Sequence, residues 1–120
     1  MNILYAEDSH DIAELIMAVL GNKFPSLHVT WVDDGTLALE VFRYGGKEYH
    51  GILTDNNMVK MDGTDLAEIL RTKDKTEIPI LMHTAKSNCV DEDKRRYLDA
   101  IIDKHDMESL FAAIKTHFKV

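Results

Sequence analysis

Asp55 ends an apolar run, Gly51-Ile52-Leu53-Thr54, and is followed by two asparagines and an Asp62-Gly63 turn in "HGILTDNNMVKMDG", residues 50–63. A carboxylate at the end of a buried strand is costly, because an unpaired ion loses its solvation there. Other apolar runs also end in reactive types: Ile3 to Ala6 at Glu7-Asp8, Ile80 to His83 at Thr84, and Ala100 to Asp103 at Lys104. Taken singly, each has an ordinary reading as a cap, a strand-end hydroxyl or a solvated lysine. Brought together they have another. Three adjacent carboxylates, Glu7, Asp8 and Asp55, repel one another and raise at least one pKa unless a cation joins them. Mg²⁺ suits that need, being held by oxygen ligands, commonly one or two carboxylates and a phosphate. Lys104 adds a fixed positive charge and Thr84 a hydroxyl donor, both suited to phosphoryl oxygens. Such a pocket is built to handle a phosphoryl group.

The elements that must position these residues follow from periodicity. Behind Ser9, a candidate N-cap, Ile12, Leu15, Ile16, Val19 and Leu20 recur at helical spacing, and Gly21 to Pro25 is expected to end that helix. Leu27 to Val32 alternates like an edge strand, with Leu27, Val29 and Trp31 on one face. Asp33-Asp34-Gly35 turns into a helix closed by Gly45-Gly46. A third helix, with Thr64 as its expected cap, carries Leu66, Ile69 and Leu70. A short polar helix over about Val90 to Leu98 precedes the fifth run, and a last helix carries Met107, Leu110, Phe111, Ile114 and Phe118 behind Asp106. Five βα units predict an α/β fold, a doubly wound parallel sheet with helices on both faces. In such sheets the functional crevice lies beyond the carboxyl ends of the strands, where the strand order switches. In the order 2-1-3-4-5, runs one and three are neighbours about 4.8 Å apart. Glu7, Asp8 and Asp55 then share one pocket, with Thr84 and Lys104 further along the sheet.

Composition narrows the function classes. With 120 residues, 45% hydrophobic and 29% charged, the chain reads as one globular domain spanning 1–120. Fourteen basic against 21 acidic residues leave −7, which opposes nonspecific binding to nucleic acid or anionic lipid. One cysteine, Cys89, excludes an internal disulfide and a cysteine metal cage. No stretch approaches the roughly 20 apolar residues of a membrane span, so no membrane insertion and a cytoplasmic location are expected. The six histidines show no metal-ligand spacing, and His83 reads as a satisfied strand histidine. "DEDKRR", residues 91–96, reads as a solvated helix face.

"ILYAEDS" (3–9), "ILTDNNMVKMDG" (52–63), "ILMHTAKS" (80–87) and "IIDKHD" (101–106) resemble the receiver domain of two-component response regulators, over essentially the whole chain. The resemblance implies a flavodoxin-like sheet of order 2-1-3-4-5 with five helices, in a stand-alone receiver or one cut from a longer protein. It implies Asp55 as the phosphoacceptor and Mg²⁺ held by Asp8, Glu7, Asp55 and the backbone carbonyl of Asn57. Thr84 and Lys104 would bind phosphoryl oxygens, Gly63 would form the tight turn before a helix, and Asn57 and Lys86 would gate attacking water. The implied partners are a sensor histidine kinase or histidine phosphotransfer protein, and a downstream protein on the face of helix four, strand five and helix five. The chain would not be an enzyme beyond its own phosphorylation and dephosphorylation.

Four features depart from the family pattern. His105 follows Lys104 where proline in a cis peptide is usual; a cis bond before another residue costs about 2.5–4 kcal/mol, so a trans bond that displaces Lys104 is expected. Ile101 stands where an aromatic ring usually reports phosphorylation. Val59 replaces a proline beside Asp55, and the segment from Thr84 to Lys104 is about two residues short, with its helix expected to be short, displaced or partly melted. His105 and Ile101 suit a competing reading, a constitutive binding module that is never phosphorylated. Retention of every acid argues against it. A flavin carrier of similar topology would need a Ser/Thr/Gly-rich loop where "EDSHDIAEL" offers acids.

Overall fold

The computed structural model describes residues 1–85 and 89–120. Lys86, expected beside the pocket, lies outside the described residues. Strands β1 (Asn2–Ala6), β2 (His28–Val32), β3 (Gly51–Thr54), β4 (Ile80–Thr84) and β5 (Ala100–Asp103) alternate with helices α1 (His10–Lys23), α2 (Gly35–Tyr44), α3 (Gly63–Thr72) and α4 (Met107–Phe118). A six-residue 3-10 helix, Glu92–Tyr97, stands between β4 and β5. All strands pair in parallel in the order β2-β1-β3-β4-β5, as expected.

The strand sequences explain their places. β3 and β4 are buried at every residue, as central parallel strands covered on both faces must be. β2, with its exposed and half-buried residues, is an edge. Ile3, Tyr5, Leu53 and Leu81 face α1 and α4, meeting Ile16 and Leu20 of one and Leu110, Ile114 and Phe118 of the other. Their alternates Leu4, Ala6, Ile52 and Ile80 face α2 and α3, where Ala38, Leu66, Ala67 and Leu70 close the second core. Gly51 has a packing reason: a Cβ there would run into the Phe118 ring, so the last helix closes directly onto the central strand.

α1 ends within the expected 21–25 stretch, running to Lys23 and stopping at Phe24, because Pro25 disfavours helical backbone in the residue before it. Three expectations are corrected. The N-cap of α3 is Asp62 rather than Thr64, which lies inside the helix. Asn56 does the capping chemistry there, its Oδ1 accepting from the Thr64 N–H at 3.3 Å. The segment before β5 is not an α-helix over 90–98 but the shorter 3-10 helix, in line with the missing residues. It is also less solvated than expected: Lys94 is ion-paired with Asp65 and Glu68 of α3. Arg71 of α3 donates to the carbonyls of Tyr97, Thr76 and Ile78 and pairs with Asp99. Among the described residues no helix is long and apolar enough to cross a membrane.

Candidate functional site

The parallel ladder carries the carboxylates to one place. Ala6 pairs with Thr54, and just beyond them the Glu7 N–H bonds the Val32 carbonyl at 3.0 Å and the Asp55 N–H the Ala6 carbonyl at 2.9 Å. Glu7 and Asp55 thus stand side by side at the carboxyl edge, 1% and 5% exposed. Asp8, the most open of the three acids, completes a group whose oxygens lie within 4.8 Å of one another. Two donors across one Mg²⁺ would stand about 4.2 Å apart at 2.1 Å per bond, so this all-oxygen set fits a hard cation.

Lys104 reaches into the same pocket from the end of β5. Its N–H bonds the Thr84 carbonyl at 3.0 Å, and its Nζ lies 2.7 Å from Glu7 Oε1 and 3.1 Å from Asp55 Oδ2. The Lys104–His105 peptide is trans, as expected. The expected displacement does not follow: Lys104 keeps its contact with Asp55. Thr84 is fully buried at the end of β4, one strand from Asp55. Asn57 lies in the exposed loop after Asp55, between buried Asn56 and Met58.

Local bonds hold Asp55 in place. The Asn56 N–H donates to Asp55 Oδ1 at 2.7 Å, and Thr54 Oγ1 donates to the Asp55 carbonyl at 2.8 Å. The Gly63 N–H bonds the Asn56 carbonyl at 2.9 Å, and a Cβ on Gly63 would collide with the Asp55 carbonyl. Glycine therefore lets α3 start directly against the acid. Val59 is exposed and Lys60 takes a left-handed φ of 75°, so this loop turns without proline.

The electrostatics match a site short of positive charge. Burial pushes the Glu7 carboxyl up to about 7; the bond from Lys104 pulls it down, and the Asp55 charge raises it again. Burial lowers the Lys104 pKa, but the Glu7 bond and the Asp55 charge outweigh it, leaving the ammonium above its usual range. Two buried acids share one lysine.

Two further groups lie near this edge. The Trp31 Nε1–H donates to the Glu7 carbonyl at 2.8 Å, fastening the edge strand to the pocket. His83, expected to be satisfied, is 1% exposed with neither ring nitrogen hydrogen-bonded, and burial pushes its pKa down to about 4. Its alternation on β4 turns it toward the apolar α1 face, where few partners exist. A lone strand histidine carries no sequence signal of that.

A search of curated protein sequences found no match. The family model described as the response regulator receiver domain matches residues 3–115. Among solved structures, the chain is similar to response regulator TrrA of Thermotoga maritima in complex with Mg²⁺-BeF, at 23% identity and TM-score 0.84 over 96% of both chains. It is also similar to the N-terminal domain of a response regulator/sensory box/GGDEF three-domain protein of Carboxydothermus hydrogenoformans. That likeness has 26% identity and TM-score 0.83, covering 99% of this chain and 94% of that one. TrrA in complex with the histidine kinase ThkA gives 22% identity and TM-score 0.81 over 96% of both chains. With the sheet order, the acid cluster and a match over nearly all of its length, the chain belongs to the response regulator receiver domain family, a family of signalling domains.

Proposed function

We propose that Asp55 accepts a phosphoryl group from a phosphohistidine, in a Mg²⁺-dependent reaction. The observation that carries this reading is the clustering of Glu7, Asp8 and Asp55 oxygens within 4.8 Å, with Lys104 Nζ at 3.1 Å from Asp55. An Asp55 carboxylate oxygen attacks phosphorus while the bond from phosphorus to the donor imidazole nitrogen breaks. The leaving nitrogen keeps the electron pair and regains a proton as needed from solvent, and Asp55 becomes an acyl phosphate. Glu7, Asp8, Asp55 and the Asn57 carbonyl would hold the metal, which would supply positive charge to offset that of the phosphoryl oxygens. Lys104 moves from its pairing with Asp55 to a phosphoryl oxygen. The Thr84 hydroxyl bonds another, drawing the end of β4 inward. Lys104 N–H, bonded to the Thr84 carbonyl, ties the two responses together.

The donor on this reading is a sensor histidine kinase or histidine phosphotransfer protein; the similar TrrA is seen in complex with the histidine kinase ThkA, which supports a partner of that class. The altered surface lies on the 3-10 helix, β5 and α4, where a downstream protein docks. Ile101, half-buried on β5, brings no aromatic ring, so the readout there is movement of Thr84 and of the 3-10 helix. The charge of −7 fits a cytoplasmic protein that signals through proteins rather than by direct contact with nucleic acid.

Acetyl phosphate with Mg²⁺, read by intact mass, tests the chemistry. The expected result is one added phosphoryl group in the wild type and none in Asp55→Asn. No adduct in the wild type would overturn the reading and leave the constitutive binding module in its place.

A further inference from the structure

Beyond β1 the chain sets two acids on either side of one peptide bond, Glu7 buried and Asp8 open. Among the described residues no hydrogen bond fixes the Asp8 carboxylate, so the backbone that carries it sets its place. Both peptide groups that flank Asp8 are held. Before it, the Glu7 carbonyl accepts from the Trp31 Nε1–H at 2.8 Å. After it, the Ser9 N–H donates to Glu7 Oε2 at 3.2 Å, and Ser9 Oγ in turn caps α1. The Glu7 N–H bonds the Val32 carbonyl, so the edge strand grips Glu7 by its N–H and its carbonyl alike. Trp31 is itself steadied: it lies level with Tyr5 in the register, packs half-buried against the α1-side core, and has the His10 ring edge-on. An indole nitrogen only donates, so the direction of its bond is fixed. With it goes the plane of the 7–8 peptide, from which Asp8 departs.

We infer that Trp31 is a positioning residue: its indole N–H orients the 7–8 peptide so that the Asp8 carboxylate meets Glu7 and Asp55 in a geometry Mg²⁺ accepts. The inference rests on the metal site proposed above. Mg²⁺ demands near-ideal octahedral geometry at about 2.0–2.1 Å, so it is sensitive to a turn of that peptide. Trp31 acts through Asp8 and does not touch the ion. Without its bond the peptide would sample other orientations, and the apparent affinity would fall with the fraction that remains competent.

Trp31 is the single tryptophan, so a tryptophan analogue changes one position alone. Trp31→3-benzothienylalanine keeps the fused ring with sulfur in place of the N–H, whereas Trp31→5-fluorotryptophan keeps the N–H. Mg²⁺ is titrated by calorimetry into the unphosphorylated full chain of each, and into Trp31→Phe. The expected result is binding about three- to tenfold weaker without the N–H, the effect of one hydrogen bond, and wild-type binding in the 5-fluorotryptophan chain. The coupling is reciprocal, so Mg²⁺ should slow solvent exchange of the wild-type indole N–H by a similar factor. That measurement needs no variant and decides if the variants do not fold. Equal Mg²⁺ affinity with and without the N–H would overturn the inference and leave Trp31 a packing residue, whatever happens to the metal-free melting midpoint. A loss shared by the 5-fluorotryptophan chain, or indole exchange indifferent to Mg²⁺, would overturn it too. A wild type that binds no Mg²⁺ would sink the metal site itself, and the inference with it.

Discussion

Glu7 sets the pH behaviour of the pocket. Its ordinary pKa is 4.5 and burial pushes it up to about 7, so the folded chain holds that proton more tightly than the unfolded chain. Stability from this group is then fully present below about 4.5 and falls as the pH rises to about 7. Mg²⁺ held as proposed would compete with the same proton. Millimolar Mg²⁺ is therefore expected to raise the melting midpoint more at about pH 8 than at about pH 5.5, by linkage worth about 2.7 kcal/mol at a hundredfold excess over Kd. Asp8→Asn should shrink that response; a calorimetric or dye-based melt measures both. An unchanged midpoint at the higher pH would count against the metal site. The acids, Thr84 and Lys104 were legible in the sequence because their types mark the ends of apolar runs. His83 was not, since its missing partners depend on which helix covers its strand face.

At the scale of elements, the 3-10 helix is where local pattern and tertiary context diverge. Helical periodicity over 90–98 is weak, and the segment from Thr84 to Lys104 is about two residues shorter than the family pattern. Packing then decides the conformation. Lys94 ties the segment to α3, while Arg71 caps its end and the approach to β4 through three carbonyls. Arg71→Ala would leave those carbonyls without their charged donor. It is expected to cost about 2–3 kcal/mol, read as a lower midpoint in urea, with the Mg²⁺ response of the distant acids kept. Loss of that response as well would mean that the segment and the pocket are coupled. Arg71 had no sequence signal beyond a basic residue in a last helical turn. The Thr64 cap was misread for a similar reason, because Asn56 takes the capping role from eight residues upstream.

For the whole molecule, alternation of apolar runs and amphipathic stripes was enough to anticipate the parallel sheet. The strand order came from family resemblance, and the structure agrees with it. What periodicity does not reveal is how the far end of the chain locks the middle. Phe118, 1% exposed, packs over Gly51, joining the last turn of α4 to the central strand. Phe118→Ala is expected to cost about 3–5 kcal/mol. That is a large share of the roughly 5–15 kcal/mol by which such domains are stable. Urea unfolding followed by circular dichroism would show it as a lower midpoint, and a loss under 1 kcal/mol would mean that the end of α4 frays freely.

The bond from Trp31 to the Glu7 carbonyl has an optical consequence. Trp31 is the single tryptophan, half-buried, with the His10 ring edge-on at 4.8 Å. Indole emission responds to charge and hydrogen bonding close to the ring. This chain therefore carries its own fluorophore one residue's backbone away from the acids. Neutralising Glu7 or loading the pocket with cation should change the emission without any attached dye, so occupancy could be followed in unmodified protein on the timescale of mixing.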